Sequence, residues 1–401
     1  MSWEKVTLDK LGHVSRGRSK HRPRNDSSLY GGKYPFIQTA DIKAAPFYIT
    51  EYSETYNDKG LAQSKLWHQG TLCITIAANI ADTAILGIDA CFPDSVMGFI
   101  PYDEVSDVRF VKYAFDMLQR DMKQISQGTA QDNLSWQKLS TIKFPKPPLE
   151  VQRKIADYLV AYEDLIENNQ RQIRLLEEAA QRLYKEWFVD LRFPGYENTP
   201  IVDGVPEGWN STTMDETCQA IGGGTPSTSK KEYYEGGNIR WVTPTDLTKT
   251  GSWILLDTEK KITNEGLDNS SAKMLPPDTI LMTSRASIGY IALCENEVCT
   301  NQGFISCVPY YEKLRYYLMF NLLNRVDEIK AKATGSTFLE ISKRTFREMA
   351  IIVPSEQVLM QFDSFILPVI QKMRTLRKGT ESLTKARDRL LPKLMSGEME
   401  V

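Results

Sequence analysis

The chain has 401 residues, which leaves room for two or three domains, each with a hydrophobic core of its own. Its 41% hydrophobic and 25% charged residues are typical of soluble proteins, and no apolar run approaches the roughly 20 residues of a membrane-spanning helix. The net charge of −2, from 49 basic and 51 acidic residues, excludes a surface covered in positive potential but is compatible with local basic patches.

The first predicted domain covers residues 1–148. It begins without the apolar stretch of a signal peptide, so we expect a cytoplasmic protein with no membrane partner. Near its start lies a basic segment without an intervening acid, RGRSKHRPR. Such a segment is either a solvated loop or a loop that contacts phosphate groups. Its candidate phosphate-binding residues are Arg16, Arg18, Lys20, Arg22 and Arg24.

The rest of this domain alternates predicted strands with one helix. GTLCITIAANIADTAIL, from Gly70 to Leu86, predicts two strands joined by a loop of small residues. VKYAFDMLQRDMKQI, which follows Phe110, has helical periodicity, and IKFPKPP from Ile142 predicts a strand bounded by prolines. We therefore expect an α+β (mixed α/β) domain.

A long central helix is predicted over residues 149–188, followed by a linker over residues 189–208 in which prolines and glycines forbid regular structure. Apolar residues of the helix recur at alternating spacings of four and three, which is the heptad pattern of a coiled coil. A helix of this length extends about 60 Å. The seam residues are Ile155, Leu159, Tyr162, Ile166, Asn169, Ile173, Leu176, Ala180, Leu183 and Trp187, with Asn169 as the one strongly polar interruption.

The second predicted domain, residues 209–353, repeats the first. YEGGNIRWVTPTDL echoes YGGKYPFIQTADI, and PDTILMTSRASIGYIAL echoes the paired strands after Gly70. A helical segment, LRYYLMFNLLNRVDEIKA, and a strand that ends at a proline, AIIVP, follow in the same order. The helical segments are followed by similar turns, Gly128-Thr129 and Gly335-Ser336. Because order and spacing agree, an internal repeat is predicted.

The C-terminal segment, residues 354–401, is predicted to be a second long helix with a tail. Pro368 predicts a kink, and Pro392 predicts an end or a bend. Because each seam is too long for one domain to cover, we expect the two helices to pair as a coiled coil. A pseudo-two-fold relation between the repeats would make the helices antiparallel and place the domains at opposite ends. The second seam consists of Phe362, Ile366, Val369, Met373, Leu376, Thr380, Leu383, Arg387 and Leu390.

Motifs of catalysis are missing from the sequence. GGGTPSTSK lacks the second glycine that a GxxxxGK[ST] phosphate loop places before its lysine. No GxSxG or HExxH occurs, no PP pair fits the [DN]PP[YF] tetrapeptide of adenine methylation, and the six cysteines include no CxxC. We expect no catalytic residue, metal ligand or bound cofactor in this chain. A nuclease site of scattered carboxylates and a lysine stays open as an alternative.

The loops instead carry side chains that suit DNA. Hydroxyl, amide and cationic groups donate and accept at base edges and phosphates. The glycine-rich segment of the second domain and the basic segment of the first hold equivalent places but differ in content, which predicts two readers of different sequences; ordinary polar turns are the alternative. Besides the basic residues of the first domain, the candidate DNA-binding residues are Thr39, Asn79, Thr225, Ser227, Thr228, Lys230, Lys231, Thr243, Thr245, Ser284, Arg285 and Ser287.

Together these features resemble the specificity subunits of Type I restriction–modification systems. The resemblance rests on GGGTPSTSKKEYYEGGNIRWVTPTDL, on LPPDTILMTSRASIGYIAL and on the central VQRKIADYLVAYEDLIENNQRQIRLLEEAAQRLYKEWF. It spans essentially the whole chain and is weaker over residues 1–140. It implies two target recognition domains, each reading one half of an asymmetric, interrupted DNA site, with the helices as a ruler between the half-sites.

The resemblance also implies partners. The chain would be a non-catalytic subunit that binds double-stranded DNA and docks two DNA adenine methyltransferase subunits, which two ATP-dependent translocase–endonuclease subunits would join. S-adenosylmethionine, ATP and Mg would be bound by those partners. Two alternatives stay open: a self-contained DNA methyltransferase or nuclease with its own recognition domains, and a coiled-coil adaptor without DNA binding.

Overall fold

The computed structural model describes residues 3–76, 82–125, 136–335 and 338–400. Three predicted features, Asn79, the Gly128-Thr129 turn and Ser336, lie outside the described residues.

The chain divides into two compact units. Unit 1 holds residues 1–168 and 381–401, and unit 2 holds residues 169–380. The division falls inside the two long helices, so each unit contains one globular part together with a segment of each helix.

Unit 1 contains, within its described residues, a five-stranded, a four-stranded and a two-stranded sheet. Its helices are α1 (Thr39–Ala44), α2 (Asp58–Ala62), α3 (Val108–Ile125), α4 (Trp136–Leu139) and the first part of α5 (Leu149–Tyr184). Its strands are β1 (Glu4–Thr7), β2 (Gly12–Arg16), β3 (Tyr30–Phe36), β4 (Tyr48–Ile49), β5 (Glu54–Tyr56), β6 (Leu66–Trp67), β7 (Leu72–Thr75), β8 (Thr83–Leu86), β9 (Ala90–Cys91), β10 (Val96–Pro101) and β11 (Lys143–Lys146). The sheet orders are β2-β10-β7-β8-β4, β5-β3-β9-β6 and β1-β11.

Strands β7 and β8 form the centre of the larger sheet. Every residue of LCIT and TAIL is buried, as their apolar and β-branched sequences predict. Helix α3 packs on β8, and its Phe110 and Phe115 enter the same core as Leu72 and Ile85. Burial of large side chains from both the helix and the sheet therefore stabilises this domain.

Unit 2 contains, within its described residues, a five-stranded sheet, a three-stranded sheet and two two-stranded sheets. Its helices are α6 (Pro244–Thr250), α7 (Asn264–Asp268), α8 (Arg315–Asn324), α9 (Val326–Ala331), α10 (Lys343–Arg347) and the first part of α11 (Glu356–Ser396). Its strands are β12 (Ile201–Val202), β13 (Val205–Pro206), β14 (Asn210–Thr213), β15 (Cys218–Gly222), β16 (Ile239–Val242), β17 (Ile254–Leu255), β18 (Lys261–Ile262), β19 (Ile280–Thr283), β20 (Ile291–Cys294), β21 (Cys299–Thr300), β22 (Phe304–Pro309) and β23 (Ala350–Val353). The sheet orders are β15-β22-β19-β20-β17, β18-β16-β21, β14-β23 and β12-β13.

The two units share one sheet plan, which confirms the internal repeat. The order β2-β10-β7-β8-β4 in unit 1 corresponds strand for strand to β15-β22-β19-β20-β17 in unit 2. Details agree as well. Thr75 ends β7, and its Oγ1 accepts a hydrogen bond from the Asp82 backbone N–H at 3.0 Å. Thr283 ends β19 and accepts from the Tyr290 N–H, also at 3.0 Å.

The segments of the two long helices run in opposite directions in each unit. In unit 1, the start of α5 shares a core with the end of α11, through residues such as Leu159 and Leu394. In unit 2, the end of α5 packs on the start of α11, where the rings of Tyr184 and Phe362 lie 6.2 Å apart. The predicted antiparallel pairing is therefore confirmed.

The predicted seam residues of both helices are buried or half-buried throughout. The polar seam residue Arg387 is matched across the helices, because its Nη1 donates to both Glu163 carboxylate oxygens, at 2.9 and 3.0 Å. Burial raises the pKa of Glu163 against the opposing effect of Arg387. Within the described part of the chain, the Thr380 hydroxyl is buried without a hydrogen-bond partner. Apolar packing therefore holds the helices together, with the Arg387–Glu163 ion pair among its polar contacts.

Two expectations about helix and strand breaks at proline are wrong. Helix α11 does not end at Pro392 but continues to Ser396, because Leu391, Leu394 and Met395 are buried in the core of unit 1 and hold the last turns in place. The linker, expected to lack regular structure, contains the short β12–β13 hairpin. Pro206 ends this hairpin, and a strand end tolerates the missing backbone N–H.

Candidate nucleic-acid interface

Two loops occupy equivalent places in the two units. The first loop, residues 17–26, follows β2, and the second loop, residues 223–230, follows β15. Each leads into a 3-10 turn whose last carbonyl accepts the backbone N–H of an N-cap residue, that of α2 in the first domain and that of α7 in the second. Leu29 accepts from Asn57 at 2.9 Å, and Tyr233 accepts from Thr263 at 2.9 Å. The loops therefore begin and end alike, and only the chain between those points differs.

Close backbone packing explains the glycines at the start of both loops. A Cβ atom on Gly17 would lie 2.3 Å from the Pro93 carbonyl oxygen, and one on Gly223 would lie 2.1 Å from that of Asn301. The backbone N–H of Gly224 donates to the Thr300 carbonyl at 2.9 Å. The glycines of the second loop therefore let the chain lie tightly against the turn before β22.

The first loop is held by Asp94. Arg24 Nη2 donates a hydrogen bond to Asp94, and Arg22 Nη2 lies 3.6 Å from the same carboxylate. Arg22 also folds back on its own loop, since its Nη1 donates to the carbonyls of Ser19 at 2.7 Å and His21 at 2.8 Å. Two of the five predicted basic residues are thus engaged within the domain.

Further polar contacts fix the end of the first loop. His21 Nε2 lies 2.7 Å from Asp26, which also accepts the Ser28 backbone N–H at 2.9 Å. That N–H, together with the Ser28 hydroxyl and His21, lowers the pKa of Asp26 to about 2. Tyr30 donates from its hydroxyl to the Arg24 carbonyl at 2.8 Å. The loop is therefore ordered around its charged side chains.

Three cations of the first domain point to solvent. Arg16, Arg18 and Lys20 are exposed, and the ion pairs of the described residues include none to these three. Free cations of this kind are suited to phosphate groups, whereas the engaged Arg22 and Arg24 already have an acidic neighbour.

An open cleft of about 790 Å³ lies between the first loop and the start of α1. Its walls offer amide, hydroxyl, carboxylate and guanidinium groups, and the predicted residue Thr39 is among them. Such mixed donors and acceptors can match the edge of a base. The polar lining includes Arg24, Asn25, Gln38, Thr39 and Glu54.

The second loop is held by Gln302, which stands two residues before β22 as Asp94 stands two residues before β10. Thr225 donates from its hydroxyl to the Gln302 side-chain oxygen. The Trp241 indole N–H donates to the Gly224 carbonyl at 3.0 Å, and the Tyr234 hydroxyl donates to that of Pro226 at 2.7 Å. The second loop therefore packs on the aromatic side chains of Trp241 and Tyr234, and its hydrogen bond with Gln302 joins two uncharged side chains.

The exposed part of the second loop carries hydroxyls and Lys230, and Lys231 follows the loop in the 3-10 turn. Ser227 and Ser229 hydrogen-bond each other at 2.8 Å, and Thr228 and Lys231 are exposed. Lys230 Nζ donates to the Tyr233 hydroxyl at 2.9 Å, which raises the pKa of the lysine. Lys230 thus has an internal partner.

The hairpin between β19 and β20 joins this surface, because the Ser284 N–H donates to the Gly303 carbonyl at 2.8 Å. The predicted residue Ser284 is only 2% exposed, since its backbone is hydrogen-bonded to Gly303 on one side and to Ile341 on the other, so its side chain does not reach the surface. Arg285 and Ser287 are exposed. Arg285 lies 3.7 Å from Glu340 and 5.8 Å from the Phe338 ring centre.

The echoed segments TADI and TPTD have a structural role that sequence reasoning did not assign. Asp246 accepts the backbone N–H and the hydroxyl of Thr243, both at 2.7 Å, and so caps α6. Asp41 likewise accepts the Gln38 N–H at 2.7 Å at the start of α1. Thr243 is therefore engaged in capping, whereas Thr245 is exposed in the first turn of α6.

Sequence reasoning also missed Asp94 and Gln302. Their signal was available in the repeat, since each stands two residues before a six-residue strand that ends in proline. All six cysteines are free and buried. Within the described ranges there is no group of three or more side chains that could hold a metal ion. No helix of the described residues is both long and apolar enough to cross a membrane.

Two copies of one sheet framework, each carrying a polar loop, define a protein with two recognition domains. The chain matches the family described as Type I restriction modification DNA specificity domain over residues 1–178 and 206–365. Because these matches cover most of its length, the chain belongs to that family. It is a DNA specificity subunit of the type I restriction–modification class, with two domains that fit a bipartite site.

Known relatives agree over the full length. The Type I restriction enzyme MjaIX specificity subunit of Methanocaldococcus jannaschii is 25% identical, over 100% of this chain and 94% of the relative. The HindI specificity subunit of Haemophilus influenzae is 25% identical, over 97% of this chain and 98% of the relative. The crystal structure of the S subunit from M. genitalium has the same fold, with a TM-score of 0.59 at 19% identity, over 98% of this chain and 96% of that one.

Proposed function

We propose that the first and second loops contact DNA, so that each domain reads its own half of a bipartite site. The observation that carries this proposal is the difference between loops on a common framework. The first loop presents Arg18 and Lys20 as exposed cations beside an open polar cleft, and Arg16 precedes it. The second presents hydroxyls, and Lys231 follows it. A repeated framework with unlike loops suits a protein that reads two unlike half-sites.

The paired helices would set the gap between half-sites and dock two DNA adenine methyltransferase subunits. Because the seam residues are buried, the docking surface would consist of residues on the outer faces of the helices. Apolar side chains are exposed there, and exposed apolar groups favour protein contacts. They include Tyr158, Leu165 and Leu175 on α5, and Met360 and Phe365 on α11.

Two ATP-dependent translocase–endonuclease subunits would complete a cytoplasmic assembly. S-adenosylmethionine, ATP and Mg would bind to the partner subunits, and this chain would perform no chemistry itself. Incubating the purified chain with DNA and each cofactor tests this point. We expect no methyl transfer and no cleavage until partner subunits are added. Turnover by the chain alone would favour the self-contained enzyme.

Selection from random duplexes tests the recognition itself. The full chain, assembled with methyltransferase subunits, is incubated with a duplex library at fixed salt, and the bound fraction is sequenced. We expect two short fixed blocks separated by a gap of constant length. A single contiguous block would contradict two separate readers, and binding without sequence preference would favour an adaptor.

A further inference from the structure

Arg24 and Asp94 form a unit with a more specific role, one that rests on the function proposed above. We propose that Arg24, held in place by Asp94, reads a guanine in the half-site contacted by the N-terminal domain. Arg24 would be the specificity-determining residue, and Asp94 would be a positioning residue that acts through it.

The contacts of the basic residues separate their roles. Arg22 donates to two carbonyls of its own loop, at 2.7 and 2.8 Å, so its guanidinium braces the loop. Arg24 is different: Tyr30 holds its carbonyl, Asp94 accepts from its Nη2, and its side chain is 48% exposed at the cleft. Among the described residues, Arg24 Nε and Nη1 have no hydrogen-bond partner. Asp94 thus accepts from one of the two Nη2 hydrogens, and the other Nη2 hydrogen forms a donor fork with Nη1 or with Nε.

The neighbouring charge favours a base over a phosphate. The Asp94 carboxylate repels a charged phosphate group more strongly than it repels the neutral edge of a base. Guanine offers two acceptors, O6 and N7, in the major groove, and the arginine fork matches both. Because Asp94 already restricts the side chain, less conformational entropy is lost on binding. By the same reasoning, Arg18, which has no acidic partner among the described residues, suits a phosphate.

The second domain provides an internal contrast. Gln302 stands where Asp94 stands, and its partner Thr225 is uncharged. The corresponding contact with the other half-site therefore involves no arginine. Changes at Arg24 or Asp94 should alter the half-site of the N-terminal domain only.

The test is a selection with duplexes randomised in one half-site at a time, using the full chain assembled with methyltransferase subunits. The half-site that changes when residues 209–353 are exchanged for those of a relative belongs to the C-terminal domain, and the other belongs to the N-terminal domain. In that N-terminal half-site, the natural protein should select guanine at one position. Arg24→Ala should reduce this preference by roughly 5- to 150-fold, the range for one bidentate contact.

Three further variants distinguish recognition of guanine by Arg24 from simple attraction between a cation and DNA. Arg24→Lys keeps the charge but loses the fork, so guanine preference should fall while the salt dependence of binding stays unchanged. Asp94→Asn should weaken the preference and steepen the salt dependence, because it frees a cation for phosphate. The matched control, Arg18→Ala, should lower affinity for all sequences, reduce the salt slope by about 0.9 and leave base preference intact.

Two results would overturn the inference: an N-terminal half-site without a selected guanine, or an Arg24→Ala protein that selects guanine as before. Either result, obtained with a natural protein that selects two separated blocks, contradicts only this inference. If the natural protein selects no bipartite site at all, the proposed function itself fails. Circular dichroism and melting temperature check that each variant is folded.

Discussion

The first and second loops differ in content although their frameworks agree. Both start at a glycine pressed against the turn before a six-residue strand, and both end in a 3-10 turn bound to the cap of a short helix. The first loop is tied to the framework through the charged pair of Arg24 and Asp94, and the second through the neutral pair of Thr225 and Gln302. One loop borders an open cleft, and the other covers Trp241.

This difference shows that one set of residues fixes the fold of each domain and another set determines the properties of its recognition surface. Backbone contacts at Gly17 and Gly223 place the loops, so those positions tolerate little change. Side chains between the fixed ends decide charge and exposure. A domain of this kind can change what it binds without changing how it folds, and the following predictions test that separation.

The largest effects are expected in the helix seam, which both units share. Ile166→Asp in unit 1 and Ile173→Asp in unit 2 place a charge at positions only 6% and 3% exposed. Each should destabilise the protein by about 3–5 kcal/mol, since packing is lost and a carboxylate is desolvated. Urea unfolding and size-exclusion chromatography of the complex measure the effect.

The neighbouring residues Leu165 and Leu175, at 51% and 56% exposed, provide matched controls for the urea unfolding of the chain. Their Asp variants should unfold within about 0.5 kcal/mol of the natural protein. Equal losses from the buried and exposed positions would contradict the assigned seam.

Smaller losses are expected at the glycines that anchor the loops. Gly17→Ala and Gly223→Ala each place a Cβ within 2.3 Å of a carbonyl oxygen, so each should cost about 1–3 kcal/mol as the backbone shifts. Similar losses of stability for Gly17→Ala and Gly223→Ala would confirm that both loops are anchored in the same way.

Gly379→Ala should have the opposite effect, because Gly379 lies inside α11 and an added Cβ would make only an ordinary contact, at 3.5 Å, with Asn169. It should stabilise the protein by about 0.5–1 kcal/mol. In thermal unfolding, the melting temperature should fall for Gly17→Ala and Gly223→Ala and rise for Gly379→Ala.

Replacing the capping aspartate should destabilise the two domains by different amounts. Asp246 is buried and accepts from Thr243 and from the Glu259 backbone N–H at 2.9 Å, so Asp246→Ala should cost about 2 kcal/mol. Asp41 accepts the Gln38 N–H and lies 3.4 Å from the Ser53 hydroxyl, so Asp41→Ala should cost about 1 kcal/mol. A larger loss at Asp41 than at Asp246 would show that these hydrogen bonds do not govern the caps.

The smallest effects concern single cations in the loops. Replacing Arg16, Arg18 or Lys231 by alanine should reduce the slope of log affinity against log salt by about 0.9 each, if each contacts one phosphate. Lys230→Ala should change the slope less, because Lys230 already donates to Tyr233. Fluorescence anisotropy on a mixed-sequence duplex at several salt concentrations gives the slopes. Four unchanged slopes would mean that these cations are merely solvated.

Much of the framework could be predicted from sequence because its signals are local. Heptad spacing predicts both long helices, and the repeated order of segments predicts the two similar domains. The two-residue strands β4, β6 and β9 could not be found in this way, because they are strands only by virtue of their pairing partners. Helix α11 runs past Pro392 for the same kind of reason, since tertiary packing outweighs a local preference.

The candidate site was harder to predict because exposure and pairing depend on distant residues. Gly223 looks flexible until the approach of Asn301 is known, and Ser284 looks like a loop serine although it is buried. Asp94, far from the basic segment in sequence, engages two of its arginines. Only the repeat could have pointed to Asp94, through its counterpart Gln302.

A domain exchange separates the two recognition domains in a single experiment. Residues 209–353 are replaced by the equivalent residues of a relative, and the methylated sites of cells that express the chain with its partners are mapped by sequencing. We expect one block of the bipartite site to change, while the other block and the spacing stay the same. A change in both blocks, or in neither, would contradict two independent readers on one repeated framework.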